Sequence, residues 1–189
     1  SITNAISAIT SGTVTLLVNQ TETVTIPLGK TIVLALNGKV ITGNITISGN
    51  AASRGTLTVT GTGKITNTVA SNATMITNYG SATFNTGVTL ETKGGWCIGT
   101  SEKGTNKEIT TINGATLIGD TGCIWGGGTI EIKSGTLASN QSTAIIFKAG
   151  TLNVTGGSIF GQLHAISSYG GITNISGGNL SSFESTTIY

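Results

Sequence analysis

GTIEIKSGTLAS, at residues 128–139, and GTLNVTGGSIFG, at residues 150–161, are two copies of one pattern. Each copy begins with Gly-Thr and continues as a short strand of alternating residues, a turn that contains glycine and a second strand. Other copies are GTLTVTGTGKIT at 55–66 and GITNISGGNLSS at 171–182, with weaker ones at 80–91 and 108–119. One copy cannot bury its own apolar side chains, so a repeat of this length predicts coils that stack on one another.

Three columns of apolar residues follow from aligning the copies. Because adjacent parallel strands lie about 4.8 Å apart, each column would form a ladder inside the stack. We therefore predict an all-β fold, a right-handed parallel β-helix (β-solenoid) of one chain with about seven to eight coils of roughly 22 residues. The columns are Val59, Phe84, Ile112, Ile132, Val154 and Ile175; Ile65, Leu90, Leu117, Leu137, Ile159 and Leu180; and Ile76, Ile98, Ile124, Ile146, Ile166 and Ile188.

We expect residues 1–189 to form a single β-helix domain. Residues 1–54 would supply an N-terminal cap and the opening coils, and residues 55–189 the regular coils. Residues 1–10 could make a short capping helix or a strand that covers the first open edge. The insertion at 99–107 reads as a surface loop. The chain starts without Met and ends on a complete third strand, so we expect a mature form, a fragment or a last coil covered by a partner.

Composition excludes several classes of function. Charged residues make up 8% of the chain and the net charge is +2, without a basic cluster, so we expect no nucleic-acid partner. No run of eighteen apolar residues occurs, so we expect no membrane insertion. Two cysteines are too few for a disulfide scaffold, and an extracellular location is expected from architecture and composition alone.

The chain resembles bacterial pectin-lyase-like β-helix proteins. The resemblance rests on TETVTIPLGKTIVLALNGKVITG at 21–43, NITISG at 44–49, GTLTVTGTGKITN at 55–67 and the later Gly-Thr copies. Similar segments occur in large surface proteins of Firmicutes, including adhesins, and in fibres of their phages. The resemblance covers nearly the whole chain, but it implies a scaffold and not an activity.

An enzyme of the pectin-lyase type, a polysaccharide lyase or a glycosidase, is the alternative function. Such enzymes group several carboxylates, whereas this chain has a single aspartate, Asp120, and scattered glutamates. Glu108 and Glu131 lie in neighbouring coils and could approach each other, but we expect two solvated charges. His164, the only histidine, is expected to be structural. We expect no catalytic residue, no metal site and no cofactor.

Two cysteines and a tryptophan precede the third column. Cys97 and Cys123 should lie side by side on adjacent coils, within the Cα range of a disulfide, although free thiols are equally compatible with parallel strands. Trp96 is expected in the core or at a coil edge, because Gly122 on the next coil leaves room for its indole.

Strict alternation along the third strand predicts an apolar strip that faces solvent. Apolar patches of this kind commonly mark interaction sites. The strip could be an interface with a homotrimer partner or a neighbouring domain, a set of aromatic platforms for sugar rings, or a surface covered by a loop. Its expected members are Met75, Tyr79, Trp125, Ile145, Phe147, Tyr169 and Tyr189.

These observations favour a non-catalytic extracellular structural or binding module, from a bacterial surface protein or a phage fibre. Its outer face would contact a glycan or a protein. Threonines on outer faces are also typical of ice-binding β-solenoids. Such proteins need Thr-x-Thr in every coil, and the later coils carry Glu131, Lys133, Asn153 and Asn174 instead.

Overall fold

The computed structural model describes residues 1–104 and 107–189. In those residues one helix, α1 (Ile2–Ser7), precedes nineteen strands. The strands are β1 (Ser11–Thr15), β2 (Gln20–Thr21), β3 (Val24–Ile26), β4 (Thr31–Ala35), β5 (Val40–Thr42), β6 (Ile45–Ile47), β7 (Thr56–Thr60), β8 (Gly63–Thr68), β9 (Thr74–Asn78), β10 (Ser81–Asn85), β11 (Val88–Lys93), β12 (Trp96–Gly99), β13 (Ile109–Gly119), β14 (Gly122–Ser139), β15 (Ile145–Val154), β16 (Ser158–Gly161), β17 (Ile166–Ser168), β18 (Ile172–Ile175) and β19 (Asn179–Ser182).

The strands stack in parallel as a β-solenoid of about eight turns, which confirms the predicted fold class. Three strands make a coil, and each pairs with its counterpart one coil later: β1 with β4, β2 with β5, and β3 with β6. The long strands β13, β14 and β15 run through coil corners, so each supplies strands to more than one side of the solenoid.

The register confirms the first two predicted columns. In the first, Val59 pairs with Phe84, and the ladder continues to Ile175. The opening coils extend this ladder with Val14 and Leu34. The second column runs from Ile41 to Leu180. Alternating residues point inward along these strands, which is why the repeat specifies its core so directly.

The third column departs from the prediction at one coil. Ile124 pairs with Ile145, and Ile145 pairs with Ile166, so Ile145 occupies the core position that we assigned to Ile146. The preceding members, Ile76 and Ile98, hold the predicted register. The chain offers two consecutive isoleucines at this place, and hydrogen-bond register decides between them.

Helix α1 closes the N-terminal end of the core. Ser1 caps its first turn by accepting a hydrogen bond from Asn4 N, and Ile2 and Ile6, four residues apart, are both 2% exposed. Of the two alternatives left open for residues 1–10, the structure has the helix. Its two buried isoleucines cover the first coil as a cap covers the end of other solenoids.

Side chains from the first two coils bind both ends of α1. The Glu22 carboxylate accepts hydrogen bonds from Ile2 N at 2.7 Å, Thr3 N at 3.1 Å and Thr3 Oγ1 at 2.8 Å. Burial alone raises the pKa of Glu22, but these hydrogen bonds outweigh it and lower the pKa below its ordinary value. At the other end, Lys30 Nζ donates to the carbonyl oxygens of Ile6, Ser7 and Ile9 at 2.6, 3.1 and 2.6 Å.

Candidate functional site

The predicted strip divides into buried and exposed members. Met75, Ile145 and Phe147 are completely buried, so the prediction that they face solvent is wrong. Tyr79, Tyr169 and Tyr189 are 38%, 58% and 68% exposed, and Trp125 is half-buried. The strip is therefore two separate aromatic regions, one on the middle coils and one at the last two coils.

A shift of one residue in the register of the third strand explains why Ile145 and Phe147 are buried. Because Ile145 takes the core position opposite Ile124, Ile146 points outward and Phe147 points inward again. In strands, a shift by one residue moves every side chain to the other face. Phe147 consequently fills the core beside Gly171, where a Cβ would lie 3.0 Å from its ring.

Two consecutive inward side chains at the start of the third strand account for the burial of Met75. Farther along the solenoid, the N–H groups of Cys123 and Ile124 both donate to Ala144 O, at 2.9 and 3.1 Å. Two consecutive side chains, those of Cys123 and Ile124, both turn inward here and are completely buried. Met75 and Ile76 hold the equivalent positions in their coil, and both are buried.

Cys97 and Cys123 lie side by side at this corner as free thiols. The pairs Trp96–Gly122 and Ile98–Ile124 flank them, which confirms the predicted register. Each Sγ donates to a main-chain carbonyl at 3.3 Å, Cys97 to Ile118 and Cys123 to Ala138. Burial, with a further contribution from Cys97, raises the pKa of the Cys123 thiol well above its ordinary value. Both thiols therefore behave as core side chains.

The environment of Trp96 was also predicted correctly. Its side chain is 6% exposed, and a Cβ at Gly122 on the next coil would collide with its indole ring. The glycine thus makes room for the indole inside the corner. Trp96 is consequently a core residue, and Trp125 is the tryptophan available to a ligand.

A groove of about 400 Å³ lies on the outer face of the third strands in coils three to five. Outward positions of three adjacent coils form its centre, where Thr77 pairs with Gly99 and Gly99 pairs with Trp125. Gly99 leaves the middle coil without a side chain, so the groove is a gap between Trp125 on one side and Thr77 and Tyr79 on the other. The lining residues are Asn72, Ala73, Thr74, Thr77, Tyr79, Gly99, Thr100 and Trp125.

Hydrogen bonds fix the polar floor of the groove. Thr74 Oγ1 and Thr77 Oγ1 lie 3.0 Å apart and share a hydrogen bond. Thr100 Oγ1 donates to Gly127 O and accepts from Gly127 N, both at 2.8 Å, while Thr100 N donates to Trp125 O at 2.9 Å. These contacts hold the floor in place beneath two aromatic side chains. A preformed cleft of this size with aromatic walls and a few oriented polar groups is typical of a small-ligand site.

The second aromatic region gathers at the last two coils. Tyr189 stacks on His164, with ring centroids 5.4 Å apart, and lies 6.2 Å from the ring of Tyr169. Lys148 Nζ lies 4.3 Å from the centre of the Tyr169 ring, within range of a cation–π interaction. His164 Nδ1 is 2.7 Å from Thr186 O. These contacts occupy one face of Tyr169 and one of Tyr189, and they join His164 to the last residues of the chain.

The carboxylates considered for catalysis do not share a cavity. Glu131 forms an ion pair with Lys133 at 3.0 Å and lines a shallow groove of about 200 Å³ beside Asn153 and Asn174. Glu108 is completely buried, so the expectation that it is a solvated charge is wrong; its Oε1 accepts a hydrogen bond from Ser101 Oγ at 2.7 Å, and its Oε2 has no partner within residues 1–104 and 107–189. Within those residues no three His, Cys, Asp or Glu side chains come together as a metal site.

The sequence identified Tyr79 and Trp125 but missed the rest of the groove. Asn72, Thr74 and Thr77 come from one coil and Thr100 from the next, and a composition of Asn and Thr does not distinguish them from other outward residues. One signal was present: aligning the third strands sets Gly99 between Thr77 and Trp125, and a glycine beside a tryptophan on an outer face predicts a cleft. The predicted loop at 99–107 borders this site, and its residues 105–106 lie outside the described residues.

Together, the fold and the groove define this chain as a β-solenoid with an aromatic-walled cleft on one face. No protein-family profile, curated protein or solved structure matches the chain. In the described part of the chain, no helix is long and apolar enough to span a membrane.

Proposed function

We propose that this chain is a non-catalytic, extracellular glycan-binding module, which displays the groove between Tyr79 and Trp125 on a rigid solenoid. The observation that carries the proposal is the pairing of two aromatic side chains with a polar floor. Pyranose rings present apolar C–H faces and hydroxyl edges, and such a cleft offers an aromatic partner to the first and hydrogen-bonding groups to the second.

The solenoid is suited to displaying a binding site because continuous ladders of paired strands hold its outward side chains in place. The strands that form the groove, β9, β12 and the first part of β14, pair with neighbouring coils. A ligand therefore meets walls that are ordered before it binds, which lowers the entropic cost of binding. This placement on rigid elements fits a surface protein or a fibre whose role is contact with an external polymer.

A glycan array tests the proposal, with Trp125→Ala as the decisive variant. We expect the wild-type chain to bind a subset of glycans and Trp125→Ala to lose about fivefold or more in affinity, because an aromatic platform contributes about 1 kcal/mol or more. Phe160→Ala is the matched control, since Phe160 is an aromatic residue on another side of the solenoid and is 36% exposed. Equal binding by both variants would place the site elsewhere.

A protein interface and an enzyme are the competing functions. The exposed Tyr169 and Tyr189 favour a protein contact at the last coils, and a trimer in solution at micromolar concentration would support that alternative. Incubation with polygalacturonate and related polymers in the presence of calcium tests the enzyme. Release of oligosaccharide products would overturn the non-catalytic assignment.

A further inference from the structure

We infer that the groove between Tyr79 and Trp125 selects an uncharged glycan and rejects uronic-acid polymers; the inference rests on the proposed glycan-binding function. The eight lining residues contain no Lys, Arg, Asp or Glu. A polymer that carries a carboxylate on each ring would place an anion in this groove with no cation to receive it. Burying a charge without a partner is strongly unfavourable.

The two charged residues that closely follow the groove in the described part of the chain do not supply that cation. Glu102 and Lys103 follow Thr100 in the chain, and both are exposed. Because the two charges are adjacent, opposite in sign and solvated, their combined effect on an anionic ligand is small. Neither residue lines the groove.

The width of the groove sets how much of the glycan it holds. Thr77 and Trp125 are two coil steps apart, which corresponds to about 10 Å between their Cα atoms. With side chains projecting from both walls, this gap accommodates one pyranose ring set on edge. Gly99 forms the base of the gap, and a Cβ on Gly99 would collide with Thr74 Cγ2, so this methyl group lies beside the base and meets the ring from below.

The polar groups of the groove suit hydroxyl and amide partners. Asn72 and Tyr79 are exposed, and neither side chain forms a hydrogen bond within the described residues, so both can donate and accept. The hydroxyls of Thr74 and Thr77 bond to each other and keep one proton and further lone pairs for a ligand. A neutral hexose or an N-acetylhexosamine satisfies such groups, and neither brings a net charge.

Calorimetry with matched tetrasaccharides tests the inference. The panel holds neutral tetrasaccharides of glucose, mannose, xylose, galactose and N-acetylglucosamine, together with tetragalacturonate. We expect at least one neutral tetrasaccharide to bind, with an affinity independent of salt between 50 and 300 mM (roughly the range over which screening lengths halve), and tetragalacturonate to bind at least about tenfold more weakly.

A variant with a new positive charge at Thr77 tests whether the lack of a cation in the groove determines which glycans bind. Thr77→Lys places a cation on the wall of the groove, and we expect it to raise the affinity for tetragalacturonate while lowering that for the neutral ligand. If tetragalacturonate binds the wild-type chain as tightly as any neutral ligand and Trp125→Ala abolishes that binding, the inference is wrong but the glycan-binding function stands. If no glycan in the panel or on the array binds, the proposed function itself fails.

Discussion

Lys30 anchors the C-terminal end of α1, and replacing it should loosen the cap without disturbing the coils. Its ammonium donates to three carbonyl oxygens, those of Ile6, Ser7 and Ile9, at 2.6–3.1 Å. Hydrogen bonds to a charged group contribute about 1.5–3 kcal/mol, and in Lys30→Met the partly exposed carbonyls are hydrated again. We therefore expect a loss of about 2 kcal/mol in the free energy of docking α1.

Hydrogen exchange measures this loss where it occurs. The amide protons of Ala5 and Ala8 are bonded within α1, to Ser1 O and Asn4 O, and a loss of about 2 kcal/mol should speed their exchange roughly 30-fold. Amides of the central coils should keep their protection, because a solenoid transmits stability mainly between neighbouring coils.

Lys39→Met is the matched control for this experiment. Lys39 lies in the same coil as Lys30, and its side chain makes no hydrogen bond or ion pair in the described part of the chain. We expect its effect on α1 to stay within about 0.5 kcal/mol. If the two variants change the exchange of α1 amides equally, the three contacts of Lys30 do not hold the cap and the reasoning fails.

Three further predictions concern stability. Glu22 has a lowered pKa in the folded chain, so its contribution is present above its ordinary pKa and is lost as the pH falls through the folded value; Glu22→Gln should flatten that acid limb in pH-dependent urea unfolding. Phe84→Ala removes a fully buried ring and should cost about 3–5 kcal/mol, whereas Ile175→Ala, at a side chain that is 40% exposed, should cost clearly less in the same urea titration. Gly122→Ala sets a methyl group against the indole of Trp96; we expect a lower melting temperature, and a melting temperature equal to wild type would show that the corner repacks freely.

The core positions of the first two strands in each coil were predictable because the alternation of their residues fits only one register. Glycines and turns bound each copy, and alternation then assigns every side chain to a face. The corner before the third strand does not follow that rule. At that corner two consecutive side chains face inward, and Met75 and Cys97 look like outward residues to any argument from alternation. Ile145 and Ile146 are equally suited to the core, so only the hydrogen-bond register distinguishes them.

The candidate site was only half predictable for a related reason. Aromatic residues stand out in a chain with 5% of them, so Tyr79 and Trp125 were found by type alone. The polar floor consists of threonines, and threonine is common throughout the chain. Only the packing of neighbouring coils shows which threonines line the groove. For the N-terminal cap, the sequence did not decide between a helix and a strand, because six residues carry little periodicity. Ser1 as N-cap and the spacing of Ile2 and Ile6 nevertheless both favour the helix.

The groove between Tyr79 and Trp125 lies where the repeat is broken, and the break accounts for its shape. Outward side chains of one column normally match in size, as Thr25, Thr46 and Thr77 do, and matched columns make a flat face. The next two steps of the same column are Gly99 and Trp125, the smallest and the largest side chains available. That single change produces both the gap and its aromatic wall. Trp125→Thr should therefore remove the aromatic wall of the groove while leaving the β-ladder intact, because the inward residues of that strand are unchanged.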